Sequence, residues 1–255
     1  MIKPTALFTL AVFTAHADNK PMKSSERINA YLAHKGIASR READSAIAAG
    51  LVFVNGKRAK LGDRVSTTDK VEVRGAAKEK YYVAYHKPIG VVSHSPRENE
   101  QGIGDIFHFK APLAPMGRLD KDSHGLIILT NDGRVTGRLL DADEGREKEY
   151  YVRVDKVVRP GFLQKLSEGI TLEDGLKTKP ARTKRMGERA FSIVLTEGKR
   201  HEIRRMCAAF EYRVLELCRT RIMGIRLGTL KIGEGREFTI RERQLFLDTL
   251  GLSGG

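Results

Sequence analysis

Two acidic residues in a glycine-bounded stretch are the first candidates for chemistry. In the string GRLDKDSHG, running from Gly117 to Gly125, Asp120 and Asp122 stand just ahead of the apolar run Leu126-Ile127-Ile128-Leu129. That run fits a buried strand, and Asn131-Asp132-Gly133 after it is a turn into a predicted helix from Arg134 to Leu140. The carboxylates therefore lie on an irregular loop feeding a buried strand, and the glycines at its ends allow another backbone or a ligand to come close. A carboxylate so placed can be a nucleophile, a metal ligand or a turn cap, and capping is the commonest role of a lone Asp. Metal ligation asks for partners at ligand spacing, and His86, His94, His108, His124 and His201 show no HExxH-like arrangement, so no metal is expected. Neither a phosphate-binding loop nor a dinucleotide fingerprint occurs, so nucleotide hydrolysis and redox-cofactor chemistry have no support and no cofactor is expected.

Two further segments bear on these carboxylates. In Lys148-Glu149-Tyr150-Tyr151-Val152-Arg153-Val154, strand alternation puts Tyr150 on the packed face with Val152 and Val154. It can wall a pocket or be a buried structural tyrosine. In HEIRRMCAAF, Ile203, Met206, Cys207 and Phe210 form a helical apolar stripe, with Arg204 on its border and Arg205 pointing away. A border arginine can meet a partly buried carboxylate. Pairing Arg204 with Asp120 would keep that carboxylate ionised against the upward pressure of burial and fix its orientation. The same arginine serves equally as a structural ion pair or as a contact to an RNA phosphate.

The scaffold for these groups follows from composition. The chain has 255 residues, 40% hydrophobic and 31% charged, which is long enough for two domains and for a core that needs no metal or disulfide. Its two cysteines, Cys207 and Cys218, cannot build a disulfide framework or a thiolate cage and read as buried thiols in a reducing compartment. Lys and Arg number 46 against 32 Asp and Glu, a formal charge of +14 that points to a polyanionic partner. No apolar run reaches the roughly 20 residues of a membrane span, and no long basic amphipathic helix is visible, so no membrane partner is expected. Residues 1–22 include a short apolar stretch and Ala15-His16-Ala17, which fits a signal-peptide cleavage site. The stretch is interrupted and its basic region is Lys3 alone, so the segment is read as a poorly ordered extension.

Residues 23–75 read as a small module. Ile28, Tyr31 and Leu32 recur at helical spacing before Gly36, and Ser39-Arg40-Arg41-Glu42 is a capping box opening a second helix that Gly50 ends. Val52-Phe53-Val54, Asn55-Gly56 and Lys57-Arg58-Ala59 predict a hairpin with a type I′ turn, and Val71-Glu72-Val73 supplies another strand. Arg40, Arg41, Lys57 and Arg58, with Lys60, cluster near the ends of these elements as a surface suited to phosphates. Residues 76–80 read as a linker, and from Tyr81 to the end alternating strands and helices form a larger domain.

The strings ERINAYLAHKGIASRREADSAIAAGLVFVNGK and LGDRV resemble the RNA-binding module of ribosomal protein S4. HKPIGVV, MGRLDKDSHGLIILTNDG, EKEYYVRVD, GKRHEIRRMC and CRTRIM resemble, in order, the RsuA/RluB/RluE/RluF family of ribosomal RNA pseudouridine synthases, with the RluF branch nearest. The resemblance runs from Met22 to about Phe238. It implies an α+β fold: a small S4-like domain, then a larger domain with a mixed, mostly antiparallel sheet flanked by helices and an RNA cleft, using no metal or cofactor. Carried over residue by residue, it places the catalytic aspartate on Asp120, the pocket tyrosine on Tyr150 and the arginine partner on Arg204. Leu217 matches an apolar pocket residue, and Arg118 and Lys121 beside Asp120 complete the expected substrate-binding set. The implied reaction breaks the ribose C1′–N1 bond of a uridine, turns the base, and joins C1′ to C5. Ribosomal RNA, most readily that of the large subunit, is the expected partner of a cytoplasmic monomer. The alternatives are small-subunit RNA, transfer RNA, or a non-catalytic assembly factor that kept the fold.

Overall fold

The capping box at Ser39 forms as its residues dictate. The Glu42 amide donates to Ser39 Oγ at 3.2 Å, and the Ser39 amide donates to Glu42 Oε2 at 2.9 Å, which fixes the helix start. The hairpin turn is also realised, with Asn55 at φ 48° and Gly56 at φ 79°, the left-handed pair that a type I′ turn requires. Both features belong to a computed structural model that describes residues 11–13, 25–66, 68–75, 79–140 and 145–252. Of the expected extension 1–22, only 11–13 lie among the described residues.

The chain divides into two compact units, one holding the residues up to Lys80 with Asp132–Arg134, the other Tyr81–Asn131 and the residues from Val135 to Ser253. The first contains β1 (Ala11–Phe13), β2 (Glu26–Arg27), α1 (Ile28–His34), α2 (Arg40–Ala48), β3 (Val52–Val54), β4 (Lys57–Arg58), β5 (Arg64–Val65) and β6 (Val71–Val73). A sheet in the order β1-β6-β3-β4 and the pair β2-β5 carry the two helices. The core is Ile28, Tyr31, Leu32, Ala43, Ile47, Val52, Val65 and Val71, which are the inward positions of the periodic pattern.

The second unit contains β7 (Tyr82–Lys87), α3 (Ile103–Ile106), β8 (Ala114–Met116), β9 (His124–Thr130), α4 (Arg134–Leu140), β10 (Lys148–Val154), α5 (Pro160–Glu168), β11 (Arg182–Arg185), β12 (Ala190–Leu195), α6 (Glu202–Ala208), β13 (Val214–Ile222), β14 (Ile225–Arg226), β15 (Gly235–Glu237) and α7 (Ile240–Thr249). Its sheet runs β11-β12-β10-β13-β9-β7-β15, with β14 on β13 and β8 on β9. Among the described strands only β13 and β9 pair in parallel, so the sheet is mixed and mostly antiparallel, as expected.

Strand alternation sends neighbouring residues of β13 to different cores. Leu217 packs with Tyr150, Val152, Phe191 and Met206, whereas Cys218 packs with Leu126, Ile128 and Phe246. The parallel contact is short, pairing Cys218 with His124 and Arg219 with Gly125. Gly125 has φ +116°, and a Cβ there would overlap the backbone of Arg219, so this crossing requires glycine. The crossing sets where the acidic loop ahead of β9 ends. No helix among the described residues is long and apolar enough to cross a membrane.

Candidate active site

The loop that carries Asp120 is held by its carbonyls. His94 Nε2 lies 2.9 Å from the Gly117 carbonyl, and Arg219 Nη1 donates to the Arg118 carbonyl at 3.0 Å. Ser93 Oγ donates to the Leu119 carbonyl at 2.9 Å and accepts from the Leu119 amide at 3.0 Å. The amides of Ser123 and Gly90 donate to the carbonyls of Asp120 and Lys121 at 3.0 and 2.8 Å. Arg204 Nη2 completes the set by donating to the Asp122 carbonyl at 2.8 Å. Every carbonyl from Gly117 to Asp122 thus has a partner, most of them from segments distant in sequence. The backbone is immobilised while the Asp120 side chain stays 36% exposed.

This arrangement corrects the expected Asp120–Arg204 ion pair, because no ion pair within 4.0 Å joins the two. Besides Asp122, the Arg204 guanidinium meets the Val214 carbonyl at 3.3 Å and Ser123 Oγ at 3.4 Å. Its border position on α6 does aim it at the loop, but carbonyls two and more residues along take its donors. Arg205 points away as expected and pairs with Glu173 and Asp174 at 2.6 and 2.7 Å. The side chain that faces the carboxylate is His201, whose Nε2 is 3.6 Å from Asp120 Oδ1 and whose backbone is left-handed at φ 51°.

Asp120 lines a cleft of about 610 Å³. Tyr150 from β10 and Leu217 from β13 form its apolar wall, both nearly buried, and Arg118 stands exposed at its edge. The β10–β13 register, with Tyr150 opposite Arg219 and Val152 opposite Leu217, places these side chains on one face. Lys121 is not among the residues that line the cleft; it is exposed and pairs with Glu100 at 3.1 Å. Arg40, Arg41, Lys57 and Arg58 are all exposed on the smaller unit.

The cleft is basic. Arg118, Lys148, Lys199, Arg200 and Arg219 line it against the acids Asp120, Glu197 and Glu202. Burial is the main pressure on the charged groups around it. It holds Lys87 down at about 8, with Arg219 pushing the same way and Asp120 and Asp122 opposing, and the Lys87 ammonium donates to the carbonyls of Pro88 and Val91 at 2.7 Å each. Burial, and next the adjoining Glu197, raise Glu202 to about 7. Arg219 is 2% exposed and donates to the carbonyls of Leu126 and Arg118, while its buried Nη2 has no protein partner.

Lys87, His201, Glu202 and Arg219 are among the members of this site that sequence reasoning did not select, as are Lys148, Glu197, Lys199 and Arg200. Lys87 sits in the HKPIG turn and Glu202 in HEIRR, so both strings were visible. Their burial, which gives them meaning, was not. Chemically, a pinned and exposed carboxylate in a basic cleft can attack an electrophilic carbon or balance a developing cation, while the tyrosine and leucine face offers a flat base a place to stack.

Comparison with known proteins places this arrangement. The profile of the RNA pseudouridylate synthase family matches residues 81–209, and that of the S4 domain matches residues 26–71. A solved structure described as a pseudouridylate synthase superposes with a TM-score of 0.64 at 28% identity, covering 88% of this chain and 99% of the other. The chain therefore belongs to the RNA pseudouridylate synthase family and is an S4-domain pseudouridine synthase. Among its relatives, the dual-specificity RNA pseudouridine synthase RluF of Escherichia coli (strain K12) is 42% identical over 222 residues, spanning 85% of this chain and 76% of that protein. The ribosomal large subunit pseudouridine synthase B of Bacillus subtilis (strain 168) is 35% identical over 229 residues, spanning 85% and 93%.

Proposed function

We propose that this protein converts uridine to pseudouridine in ribosomal RNA, most readily that of the large subunit, with Asp120 as the catalytic carboxylate. The observation that carries the assignment is a carboxylate exposed on a loop whose carbonyls from Gly117 to Asp122 are all held, inside a basic cleft walled by Tyr150 and Leu217. Its relatives are described as acting on RNA and on the large ribosomal subunit, in agreement with this reading. Such a substrate sets the place of action where ribosomes are assembled, in the cytoplasm, and the enzyme acts as a monomer.

The reaction is an isomerisation: the C1′–N1 bond breaks, the freed uracil turns, a C1′–C5 bond forms, and the C5 proton is lost to solvent as N1 gains one. Asp120 attacks the substrate or stabilises the glycal-type species formed when N1 departs. Tyr150 stacks on the uracil after the base leaves its helix or loop, a step that costs a few kcal/mol of stacking. Arg204 acts through the loop backbone, as a positioning residue. Arg118 and Arg219 offer donors to the substrate's phosphates and carbonyls. The exposed Arg40, Arg41, Lys57 and Arg58 add phosphate contacts that strengthen binding and make it salt dependent.

Tritium release from ribosomal RNA labelled at uridine C5 tests the assignment. Wild type is expected to release tritium, and Asp120→Asn to lose roughly 10³-fold or more of the rate while RNA affinity changes little. Binding without release by the wild type would instead make the chain a non-catalytic assembly factor.

A further inference from the structure

A second constellation lies across the sheet from the cleft and takes no part in the reaction described. His86 on β7, His124 on β9 and Cys218 on β13 come from three adjacent strands. The register places His124 opposite Cys218, and His86 opposite Leu126, two residues along β9 from His124, so all three share one face. One nitrogen of each ring and the Cys218 sulfur all lie within 4.8 Å of one another. We propose that these three side chains bind a zinc ion, with water in the fourth position.

The contacts of the outer ring nitrogens support this assignment. His86 Nδ1 lies 2.9 Å from the Leu230 carbonyl, which only accepts, so that nitrogen carries the proton and leaves Nε2 as a lone pair. His124 Nε2 lies 3.3 Å from Glu216 Oε1, and Glu216 is itself held by Arg153 at 3.0 Å. The inner nitrogens, His86 Nε2 and His124 Nδ1, face each other at 3.0 Å. Without a metal this chain of contacts is one proton short unless His124 carries both ring protons. With an ion between the inner nitrogens, each ring keeps a single proton on the nitrogen that faces an oxygen, and every contact is satisfied. A carbonyl or carboxylate behind each ligating histidine is the outer shell that zinc sites use to fix ring orientation.

Distances and ligand chemistry agree. Zn–N bonds of about 2.0–2.1 Å and a Zn–S bond of about 2.3 Å separate tetrahedral ligand atoms by roughly 3.3–3.7 Å, so small side-chain rotations close the site. Two imidazoles and a thiolate suit a borderline-soft divalent ion better than magnesium or calcium, which prefer oxygen. Burial keeps the Cys218 thiol protonated, raising it to about 11, so binding must displace that proton from sulfur. His124 retains 11% exposure of its side chain, which leaves an entry path. The ion would tie β7, β9 and β13 together four residues beyond Asp120, at the strand end where the acidic loop is anchored. Asp120 and the cleft residues are not ligands, and the proposal does not depend on the activity assigned above.

Cobalt substitution in the full-length protein tests the site. After chelation and dialysis, one equivalent of Co²⁺ is expected to give a thiolate-to-cobalt charge-transfer band together with the intense visible absorption of a four-coordinate ion, and one equivalent of Zn²⁺ should abolish both. Cys218→Ser should eliminate the charge-transfer band, whereas Cys207→Ser, at the other buried thiol, should retain it. His86→Gln and His124→Gln should each weaken Zn²⁺ affinity at least 100-fold. Glu216→Gln removes only the carboxylate behind His124 and leaves the ligands in place. It should fold normally and lose about tenfold in affinity. Absence of stoichiometric metal in the wild type, persistence of the charge-transfer band in Cys218→Ser, or unchanged affinity in Glu216→Gln would overturn the assignment.

Discussion

The Asp120 loop and the basic surface of the smaller unit both present charge to solvent, but on different supports. Asp120 rides on a backbone whose carbonyls are taken up by His94, Arg219, Ser93, Gly90, Ser123 and Arg204. Arg40, Arg41, Lys57 and Arg58 stand exposed at helix and strand ends. The first arrangement fixes one group in one place, which bond making demands, since small displacements of a reacting group cost large factors in rate. The second spreads attraction over several interchangeable cations, which suffices for phosphates. Substitutions near Asp120 should therefore act on turnover, and substitutions on the smaller unit on affinity and its salt dependence.

The largest effect that separates the two regions is expected from Arg204→Met. The change removes a charged donor, worth about 1.5–3 kcal/mol, from the Asp122 carbonyl, so kcat should fall roughly 10–100-fold with little change in KM. A rise in KM at constant kcat would place Arg204 on the substrate instead. A smaller effect is expected from Arg40→Ala combined with Arg41→Ala. RNA affinity should weaken, the slope of log affinity against log salt should flatten by about 1.5, and single-turnover rates at saturation should stay unchanged. Loss of turnover in that double variant would erase the distinction between the regions.

A third prediction concerns the protonation that burial imposes in the cleft. Glu202 holds its proton to about pH 7 in the folded chain, against an ordinary value of 4.5. The folded state thus binds more protons than the unfolded one between these values. The resulting stabilisation is complete below pH 4.5 and disappears as pH rises through about 7. Glu202→Gln should flatten the fall in thermal stability between pH 5 and 8. Melting curves at a series of pH values would show this, and an unchanged profile would contradict it.

Much of the scaffold could be read from local rules. Ser39 with Glu42, Asn55-Gly56, and the apolar stripe of Ile203, Met206 and Cys207 each specify an element through neighbouring residues, and each appears in the structure. Asp120, Tyr150 and Leu217 also come together in one cleft, since loop position and strand alternation place them there. What sequence could not supply is the identity of partners across long separations. Helical periodicity puts Arg204 on the border of its stripe, but whether it meets a carboxylate or the carbonyl of Asp122 depends on a loop conformation set by Ser93, Gly90 and Arg219. Lys121 follows Asp120 in the chain yet pairs with Glu100, a partner from an earlier segment that local spacing does not reveal. His86, His124 and Cys218 have no motif spacing at all, and only the β13-β9-β7 order brings them together.

The most direct test of the central claim is nucleotide-resolution mapping of pseudouridine in ribosomal RNA from cells lacking this protein, complemented with either wild type or Asp120→Asn. At least one large-subunit uridine should be unmodified in the deletion, modified again with wild type, and still unmodified with Asp120→Asn. Restoration by Asp120→Asn, or a pseudouridine pattern that does not change on deletion, would contradict the account.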